Sequence, residues 1–196
     1  MKEKKGFEVS DYIIVQERRF FIDIAKKGCG SGCAYCYVSS KDESQVLLNQ
    51  EQIKQICIYL QKHYECRGRI ISLCPNTEPL KSDASRKLVL YIIRFFLKCG
   101  SYIQISTKES IPDEFLRKID SIAKRRVYFN ISIPFLKNTS EIEPFAGNIV
   151  DRFENFSYAK RYSNICFCLY IKPFTKHAYQ YCQLYIDMIN KYHIDT

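Results

Sequence analysis

No apolar run in this 196-residue chain approaches the ~20 residues that would cross a bilayer. A membrane-spanning helix is therefore not expected. The first residues, Met1-Lys2-Glu3-Lys4-Lys5, run into mixed polar sequence where a secretory signal would turn apolar. Histidine is scarce: His63, His177 and His193 lie far apart and far from the cysteine-rich stretch described below. The two separated ligand pairs of a structural zinc site are thus missing. There is no internal repeat, no low-complexity segment and no block of like charge that would mark a tail. What remains has the composition of a globular protein, 46% apolar and 26% charged, and its length suits one domain over residues 1–196.

Cysteine is abundant, with ten in the chain, but the arrangement is not that of a disulfide framework. Cys57, Cys66, Cys74, Cys99, Cys166, Cys168 and Cys182 are scattered, most of them within apolar periodic segments where a reduced thiol packs as a small hydrophobe. A reducing, cytoplasmic setting follows as the expectation. The formal net charge is +9, which permits a polyanionic partner such as nucleic acid and equally describes a basic solvated surface.

The remaining three cysteines are concentrated. Gly28-Cys29-Gly30-Ser31-Gly32-Cys33-Ala34-Tyr35-Cys36-Tyr37 sets Cys29, Cys33 and Cys36 at C-x3-C-x2-C spacing, just after the apolar run Phe20 to Ile24. Three thiolates so close can ligate an iron–sulfur cluster at three corners and leave a fourth iron open. Interspersed glycines let the backbone turn tightly around a bulky group. A zinc site would need a fourth ligand, and a redox pair at Cys33 and Cys36 would leave Cys29 unexplained.

Periodicity gives the rest. Residues 1–18 form a lead-in with a short strand at Tyr12 to Val15, and Arg19 to Lys26 is the first main strand. Ser39 to Gln45 reads as a polar loop. Asn49 and Gln52 make a capping pair for a helix burying Ile53, Ile56, Cys57 and Leu60. Strands follow at Arg69–Leu73, Tyr102–Ser106, Arg126–Ile133 and Ile165–Ile171. Between them lie helices starting near Asp83, at Pro112 in a first-turn position, and around Ile149, and a last helix runs from Lys176 to Tyr192. His193 to Thr196 reads as the start of a sixth strand, cut off. Five strand–helix alternations predict an α/β fold with a parallel sheet and chemistry at the C-terminal ends of its strands. The pair Cys166 and Cys168 falls on one face of the fifth strand, as packing rather than as ligands.

The cluster loop resembles that of the radical S-adenosylmethionine (radical SAM) enzymes, with Tyr35 as the aromatic residue before the third cysteine. Within that superfamily the chain is most similar to the spore photoproduct lyase group, over roughly residues 20–175. The resemblance implies a partial (βα) barrel of about five units with a truncated sixth. It also implies a [4Fe–4S] cluster on Cys29, Cys33 and Cys36, and S-adenosylmethionine cleaved by an electron from a donor such as flavodoxin or ferredoxin. Cys33 to Tyr37 matches the lyase's Cys-x-Tyr-Cys-Tyr. Cys74, after the second strand, matches its hydrogen-atom donor, and Tyr37 would return the atom. Asn76 stands where the group has a serine on the cofactor. Thr107-Lys108 supplies the lysine for the methionine carboxylate, and Ser132 meets the cofactor. Glu78-Pro79 resembles the end of the Gly-Gly-Glu-Pro stretch without its glycines, and Glu143-Pro144 with Arg152 recurs in the wider group. The resemblance weakens where the lyase reads damaged DNA, so it implies the radical chemistry without implying DNA repair, and it leaves open a partner chain or a missing C-terminal segment. A peptide- or protein-modifying radical enzyme, or a non-catalytic iron–sulfur or zinc module, is the alternative.

Overall fold

The computed structural model of the protein describes residues 7–38 and 43–194. A single 3-10 turn over Val9–Tyr12 leads into strand β1 (Ile13–Val15), and β2 (Arg19–Ile22) returns antiparallel to it. The expected strand over Arg19 to Lys26 breaks here. Asp23 donates its amide to the Tyr12 carbonyl at 2.9 Å, and its carboxylate turns to the Asn76 side chain. The chain thereby leaves the main sheet, and β3 (Ala25–Lys27) pairs instead with β4 (Val46–Leu47) in a separate two-stranded ribbon. Ile24 is fully buried across this break, which is why the apolar run reads as continuous. Of the expected loop at Ser39 to Gln45, residues 39–42 lie outside the described residues.

Helix α1 (Gln50–His63) begins on the reciprocal cap: Gln52 N donates to Asn49 Oδ1 at 2.9 Å, and Asn49 N to Gln52 Oε1 at 3.0 Å. It buries Ile53, Ile56, Cys57 and Leu60 as the periodicity requires. After β5 (Ile70–Leu73), α2 (Asp83–Lys98) opens on a second such box, between Ser82 and Ser85. A cap contributes about 1 kcal/mol. The α2 stripe Leu88, Val89, Ile92, Ile93, Phe96 and Leu97 contributes ~1.5–3 kcal/mol per buried side chain. Packing therefore decides the helix and the cap decides where it starts. Strand β6 (Tyr102–Thr107) leads to α3 (Asp113–Ala123), whose cap position, one step outside the helix, is taken by Pro112. Strand β7 (Val127–Ser132) is followed by the short helices α4 (Thr139–Ile142) and α5 (Ile149–Glu154), and a 3-10 turn over Asn155–Lys160 precedes β8 (Ile165–Tyr170).

The last helix is two pieces, α6 (Lys176–Gln180) and α7 (Cys182–Tyr192), broken at Tyr181. Leu184 and Ile186 are exposed and only Tyr185 of α7 is buried, so no single apolar stripe demands one continuous helix. His193 does not begin a strand. It caps α7 in the left-handed conformation, with the Ile194 amide bonded back to Ile189 O, and residues 195–196 lie outside the described residues.

The six-stranded sheet has the order β1-β2-β5-β6-β7-β8, parallel from β2 onward. Its two faces differ sharply. Phe20, Ile71, Ile103, Ile105, Val127, Phe129, Ile131, Ile165 and Phe167 form one buried apolar face that joins the helix stripes in the core. The alternate positions, including Phe21, Ser72, Gln104, Ser106, Asn130, Ser132 and Tyr170, turn to a cavity. Cys166 and Cys168 share a face, as period-two spacing demands. That face is the open one, with Cys168 exposed, so neither packs in the core.

Candidate active site

The cavity, about 620 Å³, opens at the C-terminal ends of the parallel strands, and the 28–37 loop forms one wall. This loop is held from three sides. Thr77 Oγ1 donates to Gly28 O at 2.8 Å, Ala34 N to Ile142 O at 2.8 Å, and Phe145 N to Ser31 O at 3.3 Å. Gly28 has φ of +82°, and a β-carbon there would stand 2.2 Å from the Ser44 carbonyl oxygen; no other residue type fits. Cys29, Cys33 and Cys36 all line the cavity. Burial raises the thiol pKa of Cys29 and Cys33, opposed at Cys33 by the charge of Lys108. Among the described residues no three Cys, His, Asp or Glu side chains converge on a single-ion site.

The opposite wall comes from the end of β5. Cys74 adopts a left-handed conformation, φ +59°, and its amide donates to Ile22 O at 2.8 Å. Its thiol is buried and its pKa is raised well above the ordinary value by desolvation, then by the carboxylates of Asp23 and Glu78. Tyr37, largely exposed, donates its hydroxyl to Pro75 O at 3.1 Å and reaches Asn76 Oδ1 at 3.4 Å. Asn76 Nδ2 in turn donates to Asp23 Oδ2 at 2.7 Å. Asp23 is the residue that motif reading misses. Burial pushes its carboxyl up to about 6 against the lowering effect of Asn76, and its Oδ1 has no hydrogen-bond partner among the described residues. An acid closing an apolar strand was the available signal.

Glu78 is buried at the head of the cavity. Its carboxylate accepts from Thr107 Oγ1 at 2.5 Å, the Lys108 amide at 3.0 Å and the Leu80 amide at 3.2 Å. Desolvation still raises its pKa, with the Thr107 and Lys108 bonds acting in the other direction. Lys108 lines the cavity with its ammonium 5.7 Å from the centre of the Tyr35 ring, and Ser132 lines it from the end of β7.

Tyr35 donates its hydroxyl to Glu143, and Arg152 Nη1 binds the other oxygen of that carboxylate at 2.5 Å. Arg152 is 1% exposed and also donates to Gly147 O and Ser132 O. It lies outside the cavity wall and reaches the site through Tyr35 and Ser132. The structure thus gathers Cys29, Cys33, Cys36, Tyr35, Tyr37, Cys74, Asn76, Glu78, Lys108 and Ser132 around one cavity, with Arg152 behind it. Sequence reasoning also misses the sheet floor, where Ser72 Oγ donates to Gln104 Oε1 at 3.1 Å and Asn130 Nδ2 to Ser106 Oγ at 3.2 Å. A parallel strand buried on both faces reads as unbroken apolar sequence; the polar alternation in β6 and β7 signals one wet face.

No protein-family model and no curated protein matches the sequence. Solved structures do. A doubly substituted variant of spore photoproduct lyase, with bound AdoMet and dinucleoside spore photoproduct, superposes with a TM-score of 0.67 over 88% of this chain, at 16% identity. The fold is that of spore photoproduct lyase. A second lyase structure, a tyrosine-to-phenylalanine variant, gives a TM-score of 0.64 over 86% of the chain at 16% identity. Streptococcus suis SuiB bound to S-adenosylmethionine gives 0.57 over 89% at 13% identity. The chain spans about half the length of the lyase structures, 51% and 50%, and 36% of SuiB.

Proposed function

We propose that this cavity is the active site of a radical SAM enzyme acting on a nucleotide or nucleic-acid substrate, within a sheet curved as a partial barrel. One observation carries the reading. The three thiols share a cavity with Glu78, Lys108, Ser132 and Asn76 at the C-terminal ends of the strands, in a fold whose lyase counterpart holds AdoMet and a dinucleoside. The donor set suits a [4Fe–4S] cluster: three soft thiols, Cys29, Cys33 and Cys36, line one cavity on a loop whose first glycine permits the tight path. Cys29, Cys33 and Cys36 would hold the cluster, which, once reduced by a flavodoxin- or ferredoxin-type donor, would supply the electron that splits S-adenosylmethionine into methionine and a 5′-deoxyadenosyl radical.

The chain's own groups then divide the work. Lys108 offers its ammonium to the cofactor carboxylate. Glu78, its oxygens fixed by Thr107 and Lys108, presents negative charge to the amino group, and Ser132 and Asn76 add hydrogen bonds. Cys74 keeps its S–H at neutral pH because burial and two carboxylates oppose ionisation, so it holds a hydrogen atom ready for a carbon radical. Transfer forms a C–H bond and leaves a thiyl radical; Tyr37, bonded to the carbonyl next along from Cys74, returns the atom from its O–H and becomes the tyrosyl radical.

Reconstituted protein given S-adenosylmethionine, dithionite and dinucleoside spore photoproduct is expected to release the repaired dinucleoside. The Cys74→Ala variant is expected to form 5′-deoxyadenosine while product falls by about tenfold or more, read by chromatography of both nucleosides. Full product yield from Cys74→Ala would reduce that residue to packing. Cleavage of S-adenosylmethionine without any repaired dinucleoside would remove this substrate from the reading.

A further inference from the structure

A second hollow, about 790 Å³, lies at the opposite end of the sheet, between the turn before β5 and the C-terminal ends of α2 and α3. Five cations surround it, Arg67, Arg94, Lys98, Lys124 and Arg126, and among the described residues no acidic side chain lines it. Some surface cations outside the hollow have partners: Lys54 pairs with Glu51, Arg86 with Asp83, Arg117 with Asp113 and Lys118 with Glu114. Among the described residues none of the five forms an ion pair. The nearby carboxylate of Glu65 accepts from the Arg67 backbone amide. The negative ends of two helices favour a cation each, and solvent screens the exposed Arg67, Arg94, Lys98 and Lys124 from one another, but five positive charges around one hollow make a concentrated positive potential that an anion would meet.

The hollow is also built. The turn carrying Arg67 is tied to the end of α2 by Gly68 N to Gly100 O at 3.1 Å and by Ser101 Oγ to Cys66 O at 2.8 Å. A β-carbon at Gly100 would stand 3.2 Å from Arg67 Cγ, so the glycine lets the arginine stem lie across the backbone. On the other side Lys124 and Arg125 are consecutive non-glycine residues with left-handed φ, 47° and 57°. The Arg125 amide donates to Asn164 O at 2.9 Å, and Ile103 N to Arg126 O at 2.8 Å. Such backbone persists only where its surroundings impose it.

We propose that this hollow binds the phosphates of a nucleic-acid strand, independently of sequence. Among the described residues the lining has no aromatic ring to stack a base and no carboxylate to meet a ribose hydroxyl; guanidinium and ammonium groups bind anionic oxygens without reading a base, and a strand's regularly spaced phosphates supply several such charges to one hollow. Strand β6 begins beside the hollow and runs about 20 Å, at ~3.3 Å per residue, to Thr107 and Lys108 at the head of the cysteine cavity, so the hollow serves as an anchor at a distance from that end. Binding here requires neither cluster nor S-adenosylmethionine and stands or falls apart from the radical reading.

Fluorescence anisotropy with a short, labelled, mixed-sequence DNA strand tests it, on purified and reconstituted protein, between about 50 and 200 mM salt. Reversing three charges (Arg94→Glu, Lys98→Glu, Lys124→Glu) is expected to weaken binding about tenfold or more at low salt. It should also flatten the slope of log K against log salt by roughly 2, since each phosphate contact on a single strand contributes ~0.7. The glutamine triple at the same positions should lose affinity in the same direction while keeping the wild-type circular dichroism. A control with the same charge change on exposed residues outside the hollow (Lys54→Glu, Lys87→Glu, Lys118→Glu) should stay within about twofold. Equal loss in the control, or wild-type affinity in both hollow variants, would overturn the proposal. So would tripolyphosphate binding that depends on the hollow while DNA binding does not, because the occupant would then be a small free phosphate.

Discussion

At the scale of single residues, Asp23, Asn76, Cys74 and Tyr37 form one connected group, and its electrostatics can be read without any cofactor. Burial raises the Asp23 carboxyl to about 6. A carboxyl whose folded pKa lies above its unfolded value of 3.8 binds more protons folded than unfolded between those two values. Stability from this group is therefore fully present below pH 4 and declines as pH rises through about 6, by about 2–3 kcal/mol. Thermal melts from pH 4 to pH 7 should show this decline in the wild type and lose it in Asp23→Asn, whose amide cannot ionise. An unchanged pH dependence in the variant would show that Asp23 is not buried as described. That the loop cysteines, Cys74, Lys108 and Ser132 would share one cavity was legible because each belongs to a short motif at a strand end. Asp23 and the Tyr35–Glu143–Arg152 chain were not legible as a unit. Asp23 meets Asn76 across 53 positions and Tyr35 meets Glu143 across 108, and nothing local encodes such partners.

At the scale of elements, the loop that holds the thiols depends on its first glycine. Gly28→Ala must push a β-carbon into the Ser44 backbone, which has no flexible side chain to move aside. Iron bound after reconstitution is expected to fall below about half of the wild-type value. Gly68 is the control. It too has positive φ, but nothing lies within 4 Å of its added β-carbon, so Gly68→Ala should cost only the left-handed penalty of ~1–2 kcal/mol and keep its iron. Iron loading that is equal in both variants would separate the loop from the cluster. Helices α1, α2 and α3 were legible to within a residue or two because caps and apolar stripes agree. Two boundaries were not. The β2–β3 break hides inside apolar sequence, since Ile24 is buried on either reading, and the break at Tyr181 falls where the pattern no longer specifies one face.

At the scale of the whole molecule, the five-cation hollow and the cysteine cavity sit at opposite ends of strand β6. The net charge of +9 could not be localised from sequence, because the five cations of the basal hollow come from three separate segments. Among the described residues no helix is long and apolar enough to cross a membrane. The central claim concerns the cysteine cavity, and the most direct measurement is 5′-deoxyadenosine formed from S-adenosylmethionine by anaerobically reconstituted, dithionite-reduced protein, with iron and sulfide counted in the same sample. The account predicts about four irons per chain and sustained release of 5′-deoxyadenosine, both lost in Cys33→Ala. One bound zinc without sulfide, or undiminished 5′-deoxyadenosine from Cys33→Ala, would contradict it.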